Sequence, residues 1–262
     1  MRILVCIKQV PGTSNVEIDP VTGVLKRDGI ESKMNPHDLF GIETALRLAA
    51  QYGGEVKAIT MGPPSARSVV LEAVYMGCES GCVLSDRRFA GADVLATSYT
   101  LSQGLRKMGG FDLIICGKQT SDGDTAQVGA EIAEFLKIPH VSNIISVENI
   151  SNNSITVKAN FDSSIVTARL PMPCLLCTDG DINTPRLPSY KRKKELGDGM
   201  IGMMSMDDFE DKNAKNYGLN GSPTQVERVF SPESSNKRQM FDGDVKQLSL
   251  QLYDMLHKRK FI

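Results

Sequence analysis

Residues 113–129 read LIICGKQTSDGDTAQVG. Leu113 to Cys116 run without a polar interruption, as a strand buried on both faces does. Gly117 follows, then a polar loop, then helical spacing, which predicts a helix from Thr125 to Leu136. Strand, loop and helix in this order place a ligand at the carboxyl end of a parallel sheet. A helix N-terminus offers unpaired N–H groups and a partial positive charge, and both suit a phosphate. Gly123 is expected to let the backbone come close to a ligand, and Asp124 or Thr125 to cap the helix. The Thr125 hydroxyl and the Gln127 amide suit phosphate oxygens, whereas Asp122 and Asp124 suit loop orientation or ribose hydroxyls. The segment is neither GxxxxGK[ST] nor GxGxxG. A capped helix after a tight turn, with no ligand, is the competing reading.

Working outward, Ile3 to Ile7 is a short apolar run bounded by Lys8 and Pro11, hence a buried strand. Residues 12–34 suggest a hairpin, with Val16 and Ile18 on one arm, a turn at 19–23, and Val24 and Leu25 on the other. Asn35 is expected to cap the next helix, with Pro36 at its first position and Asp38 in its first turn. Leu39, Ile42, Leu46 and Ala49 follow at helical spacing up to Gly53-Gly54. Val56–Met61 is the next strand, then a helix over 66–76, a strand at 83–84 and a helix over 92–108. This alternation predicts an α/β fold with a parallel sheet, right-handed crossovers and helices on both faces. Lys8, Met61, Asn35 and Asp38 then share one sheet edge with loop 117–128, an arrangement suited to an adenine nucleotide. Lys8 is placed to balance phosphate charge.

After Pro139 the pattern changes. Residues 141–150, 154–161 and 164–170 alternate with period two and read as antiparallel additions or edge strands. From Asn183 to about residue 240 no core-like pattern is visible. The division expected is a nucleotide-binding α/β domain over 1–182 and an extended arm over 183–262, packed on a partner or on this same subunit. The arm ends in an amphipathic helix, Asp244 to Lys258, with Val245, Leu248, Leu252 and Leu256 on one stripe. Its basic run, Lys191 to Lys194, is either a solvated face or a steering patch for an acidic partner.

Lys plus Arg is 30 against 31 Asp plus Glu, a net charge of -1, which argues against a general nucleic-acid-binding surface. No run of 18 apolar residues predicts a membrane span, and the N-terminus reads as a strand instead of a signal peptide. Most of the six cysteines lie in apolar runs, as expected in a reducing cytoplasm. Cys174 and Cys177 form the one CxxC; as strand residues they would face opposite ways and hold no zinc. His37, His140 and His257 are isolated, and the default for His37 and His257 is surface exposure. No nucleophile–base constellation appears. A redox protein needs none, because its cofactor carries the chemistry.

Four ordered blocks, ILVCIKQVP, KMNPHDLFGIETALRL, MGPP and ICGKQTSDGDTAQVG, resemble the beta subunit of electron transfer flavoproteins. The resemblance covers about the first 180 residues and continues into PRLPSYKRKKELG, similar to that family's partner-recognition arm. It implies an adenine-nucleotide-binding (Rossmann-like) domain paired with an alpha subunit that holds an FAD. Some members hold a structural AMP in the beta subunit. Others hold a second FAD and bifurcate electrons among NAD(H), a ferredoxin or flavodoxin, and a flavin dehydrogenase. The DGDTAQVG loop and the KQVP opening resemble the second group, so FAD is expected, with AMP as the alternative and NAD as a transient substrate. By resemblance, the adenine and ribose pocket falls on Cys6, Asn35, Asp38 and Met61, and the phosphate cradle on Gly117, Lys118, Asp122, Gly123, Asp124, Thr125, Ala126, Gln127 and Val128. NAD falls around Lys8, Gln9 and the following loop. The implied dehydrogenase is of the acyl-CoA or the 2-hydroxy-acid (lactate) type. An ATP-binding module sharing only the fold is a further alternative.

Overall fold

The computed structural model describes residues 1–12, 32–151, 153–196, 200–226 and 240–262. Its frame is a nine-stranded, mostly parallel sheet in the order β11-β5-β4-β1-β6-β10-β7-β8-β9. The strands are β1 (Arg2–Cys6), β4 (Glu55–Met61), β5 (Ser80–Leu84), β6 (Leu113–Gly117), β7 (His140–Ser151), β8 (Ser154–Phe161), β9 (Ser164–Pro171), β10 (Cys174–Thr178) and β11 (Ile201–Met204). Between β1 and β4, β2 (Gln9–Pro11) pairs antiparallel with β3 (Ser32–Met34). The arms of the expected hairpin, at 16–18 and 24–25, lie outside the described residues.

The central strands are apolar throughout because both faces are covered. Ile3, Val5, Leu113, Ile115, Cys174 and Leu176 pack on one face with Ile42 and Ala45 of α1 (Pro36–Tyr52) and Val69 and Val70 of α2 (Arg67–Met76). Leu4, Cys6, Ile114, Cys116, Leu175 and Cys177 pack on the other with Leu101 and Leu105 of α3 (Val94–Met108) and Ile132 and Ala133 of α4 (Val128–Leu136). Each fully buried Ile or Leu contributes roughly 1.5–3 kcal/mol. Cys174 and Cys177 do lie on opposite faces, and all six cysteines are buried free thiols.

Strand order locates the crevice. From β1 the chain moves outward through β4 and β5, then returns to β6 on the other side of β1. The connection after β1 leads to α1 on one face, and that after β6 leads to α4 on the other. A gap therefore opens between the carboxyl ends of β1 and β6, the switch point at which open α/β sheets hold ligands.

Several expectations need correction. The fourth helix begins at Val128, not Thr125, because Asp124 and Ala126 have φ of 52° and 55°, incompatible with a right-handed helix. Residues 141–150 are not simply an antiparallel addition: β7 runs parallel to β10 on one side and antiparallel to β8 on the other. The span after Asn183 is not without a core. β11 extends the sheet beside β5, and Met206, Phe209 and Tyr217 are buried, with the Phe209 ring stacked on Phe89 and the Tyr217 ring tilted against it. These apolar residues are too irregularly spaced to show a period. The basic run is not uniformly solvated either. It forms the short helix α5 (Tyr190–Leu196), in which Arg192 donates to the Val74 and Cys78 carbonyls at 2.9 Å each, while the three lysines stay exposed. The terminal helix α6 (Val245–Lys258) begins after Asp244, which caps it, and none of its residues is buried.

Segment 183–192 is pinned by a buried carboxylate. Glu43 of α1 accepts from the Arg186 guanidinium at 2.7 Å and from Arg47 Nε at 2.7 Å. Burial pushes this carboxyl up, but Arg186 and Arg47 outweigh it and hold it below the usual range. Replacing Glu43 with Ala leaves Arg186 without its partner. Trypsin should then cut after Arg186 and the 191–194 basic residues severalfold faster than in the wild type, as read by timed digestion; equal rates would show that Glu43 does not hold the segment.

Candidate functional site

Cys6 and Cys116 sit side by side in register, and Cys116 registers in turn with Cys177. The three form a row on the α3–α4 face. Gly129, in the first turn of α4, lies against it: a Cβ there would stand 2.3 Å from Cys177 Sγ. The neighbouring Cys116 thiol and burial together hold Cys177 well above the usual thiol range. The row is thus a buried floor of thiols.

Above the opposite face, α1 starts beside the ends of β1 and β6. Asn35 is fully buried and does not cap α1 with its side chain. Instead its Nδ2 donates to Asp38 Oδ1 and to the Gln119 carbonyl, each at 2.9 Å, while its Oδ1 accepts from the Ser121 N–H at 3.2 Å. Asp38 Oδ2 accepts from the Lys8 N–H at 2.7 Å. Two side chains three residues apart thereby join the end of β1, the start of α1 and the loop after β6. Gly117 permits this approach, because a Cβ there would stand 2.4 Å from Asp38 Oδ1 and under 3 Å from the His37 carbonyl. His37 is correspondingly half-buried, not surface-exposed, and its Nδ1 is buried without a hydrogen-bond partner among the described residues.

The loop divides into two halves. In the first, four N–H groups are bound within the protein: Lys118 to the Thr178 carbonyl, Ser121 to Asn35, Gly123 to Thr120 Oγ1 and Asp124 to the Thr120 carbonyl. In the second, the N–H groups of Thr125, Ala126, Gln127 and Val128 have no acceptor among the described residues. Asp124 and Ala126 in left-handed backbone turn this stretch into the alternating conformation that builds anion-binding concavities. Non-glycine residues held there are strained, and such strain gathers at functional sites.

Sequence reasoning placed the glycine requirement at Gly123. Gly123 lies outside the left-handed region, and a Cβ there would meet only Thr120 Oγ1 at 3.4 Å. Gly117 and Gly129 carry the steric constraint. Neither Asp124 nor Thr125 caps α4; Gln127 occupies that position without a side-chain bond. Lys8 is held by Asp122, with Nζ 2.8 Å from both carboxylate oxygens, and Lys118 Nζ lies 2.9 Å from Asp179 Oδ2. Met61 ends β4, one strand away, and packs on the α3–α4 side. Asp179 and the half-buried His37 were missed. The N-x-x-D spacing of Asn35 and Asp38 could have revealed their mutual bond.

The sequence matches the Electron transfer flavoprotein domain over residues 22–198. The chain belongs to the electron transfer flavoprotein family, as a beta-type subunit. It is 38% identical to the electron transfer flavoprotein subunit beta of Clostridium acetobutylicum over the whole of both chains. It is 40% identical to the caffeyl-CoA reductase-Etf complex subunit CarD of Acetobacterium woodii, covering 93% of this chain and 92% of that one. It is also 38% identical to protein FixA of Azorhizobium caulinodans, with 92% and 89% covered. No described helix is long and apolar enough to cross a membrane.

Two predictions follow from the buried knot. A Gly117→Ala substitution sets a methyl against the His37 backbone, which cannot swing aside, and should cost about 1–3 kcal/mol; an unchanged urea midpoint would refute the clash. Burial raises the Asp38 carboxyl from 3.8 to about 7, despite the bonds it accepts from Asn35 and the Lys8 N–H. The folded state therefore binds the extra proton between these values, and stability falls as pH rises through that window, by at most about 1.4 kcal/mol per pH unit. Denaturation of wild type and Asp38→Asn at pH 4, 5.5 and 7 should show the wild type losing ground with rising pH. A constant difference would count against it.

Proposed function

We propose that this chain is the FAD-binding beta subunit of a bifurcating electron transfer flavoprotein. Its sheet domain is read as an adenine-nucleotide-binding, Rossmann-like unit. The reading is carried by the four consecutive N–H groups at 125–128, without acceptors among the described residues and shaped by left-handed residues at 124 and 126, at the switch point of the sheet. These groups would hold the diphosphate, with Lys8 and Lys118 supplying positive charge beside it. Asn35 and Asp38 would keep the loop in place from beneath, and the buried cysteines would close the floor to water. His37 Nδ1, with no partner among the described residues, is a further polar group beside Gly117. A flavin held here would supply the two-electron and one-electron chemistry. NAD(H) is assigned to the region of Lys8, Gln9 and the following loop.

The further partners proposed are an alpha subunit with its own FAD, a ferredoxin or flavodoxin, and a flavin dehydrogenase, in the cytoplasm. Of the two dehydrogenase types, the acyl-CoA type draws support from the relative named as part of a caffeyl-CoA reductase-Etf complex. Residues 183–262 would contribute the recognition arm, with exposed Leu187, Tyr190, Lys191, Lys193 and Lys194 available for docking. A structural AMP in place of FAD is the second reading. A diphosphate makes fuller use of four successive N–H groups than a lone phosphate does.

Co-purification with the alpha subunit, followed by a visible spectrum, tests this. Two flavins per heterodimer, bleached by NADH, are expected. One flavin, inert to NADH, with AMP released on denaturation, would replace the FAD reading with the carrier reading.

A further inference from the structure

The ion pair between Lys8 and Asp122 has no place in a simple phosphate cradle. The two residues come from opposite sides of the switch point, Lys8 after β1 and Asp122 from the loop after β6, 114 positions apart in sequence. Lys8 Nζ is 2.8 Å from each Asp122 oxygen, so a carboxylate already holds the ammonium that a phosphate would seek. Both side chains remain partly exposed, at 43% and 33%, and pairs of this kind are weak enough to be exchanged. The surroundings do not favour extra negative charge. Loop 117–128 and the side chains bonded to it carry two lysines, Lys8 and Lys118, against four aspartates, Asp38, Asp122, Asp124 and Asp179. Lys118 is itself bonded to Asp179, and the Asp124 carboxylate has no partner among the described residues. Attraction for an anion therefore rests chiefly on the N–H groups at 125–128.

We propose that Asp122 is a specificity-determining residue, which competes with phosphate for Lys8 and so filters nucleotides by charge. The inference rests on the nucleotide site assigned above and goes beyond it by giving Asp122 a part in selecting what binds there. A dinucleotide diphosphate, with one charge on each phosphate and no terminal phosphate, suits the acidic surroundings. Nucleoside di- and triphosphates bring additional charge and are disfavoured. Asp122 is thus a barrier to highly charged ligands and not a ribose-binding group.

Calorimetric titration of the purified full-length chain with adenosine, ADP and ATP, for wild type and Asp122→Asn, tests the filter. The substitution lies in an exposed loop, and matching thermal melts of the two proteins control for folding. Affinity for ADP and ATP should rise roughly two- to fivefold, the scale of a part-exposed ion pair, with adenosine unchanged. In a Lys8→Met background the same Asp122→Asn change should give a smaller gain, since no ammonium is left to release. Unchanged ADP affinity in Asp122→Asn would overturn the filter while leaving the nucleotide site standing. Equal weakening of adenosine and ADP would also overturn it, by making Asp122 a ribose ligand. A wild type and variant that bind none of the three, nor FAD, would overturn the site and the filter together.

Discussion

Asn35 uses every polar atom of its side chain inside the protein, and the rest of the crevice depends on that. Its amide ties the start of α1 to Asp38 and to the loop after β6, and its oxygen holds Ser121. Asp38 completes the tie by taking the Lys8 N–H. A fully buried polar pair is costly unless its bonds are satisfied. Here three of the four bonds also join chain segments far apart in sequence. The loop cannot leave this geometry without exposing an unpaired carboxyl and amide to an apolar interior. Binding capacity at 125–128 is therefore fixed by residues that would not touch the ligand.

This division of labour explains the two-part loop. The first half gives up four of its N–H groups to the protein and is tied down by them. The second half keeps them open and accepts left-handed backbone at Asp124 and Ala126. A continuous helix from Thr125 would have presented only a helix terminus. Starting at Val128 instead, α4 lets three preceding residues curve toward the crevice.

The layered fold was legible because the central strands are apolar on both faces and the helices carry clear start and stop residues. Gly53, Gly77 and Gly109 do end α1, α2 and α3. The site was legible only as a region. Residue type located the loop, but which N–H groups are taken depends on Asn35, Thr120 and Thr178, and sequence spacing does not reveal long-range partners. Gly123 looked like the permissive residue since it sits mid-loop; the crowding lies at Gly117 and Gly129, where helices press on strands. The segment after Asn183 was misread for a related reason. Met206, Phe209 and Tyr217 fill a gap over α3 without forming any periodic element, so no pattern announced them.

The position of β11 has a consequence for biosynthesis. Residues 201–204 add the last parallel strand beside β5, whose own residues, 80–84, leave the ribosome much earlier. Until the later segment emerges, the nascent sheet carries an open border of unpaired backbone groups, the kind of template on which neighbouring chains aggregate. Vectorial synthesis thus leaves one flank of this domain unsealed from the emergence of β5 to that of β11, and shielding by a chaperone would matter most in that interval.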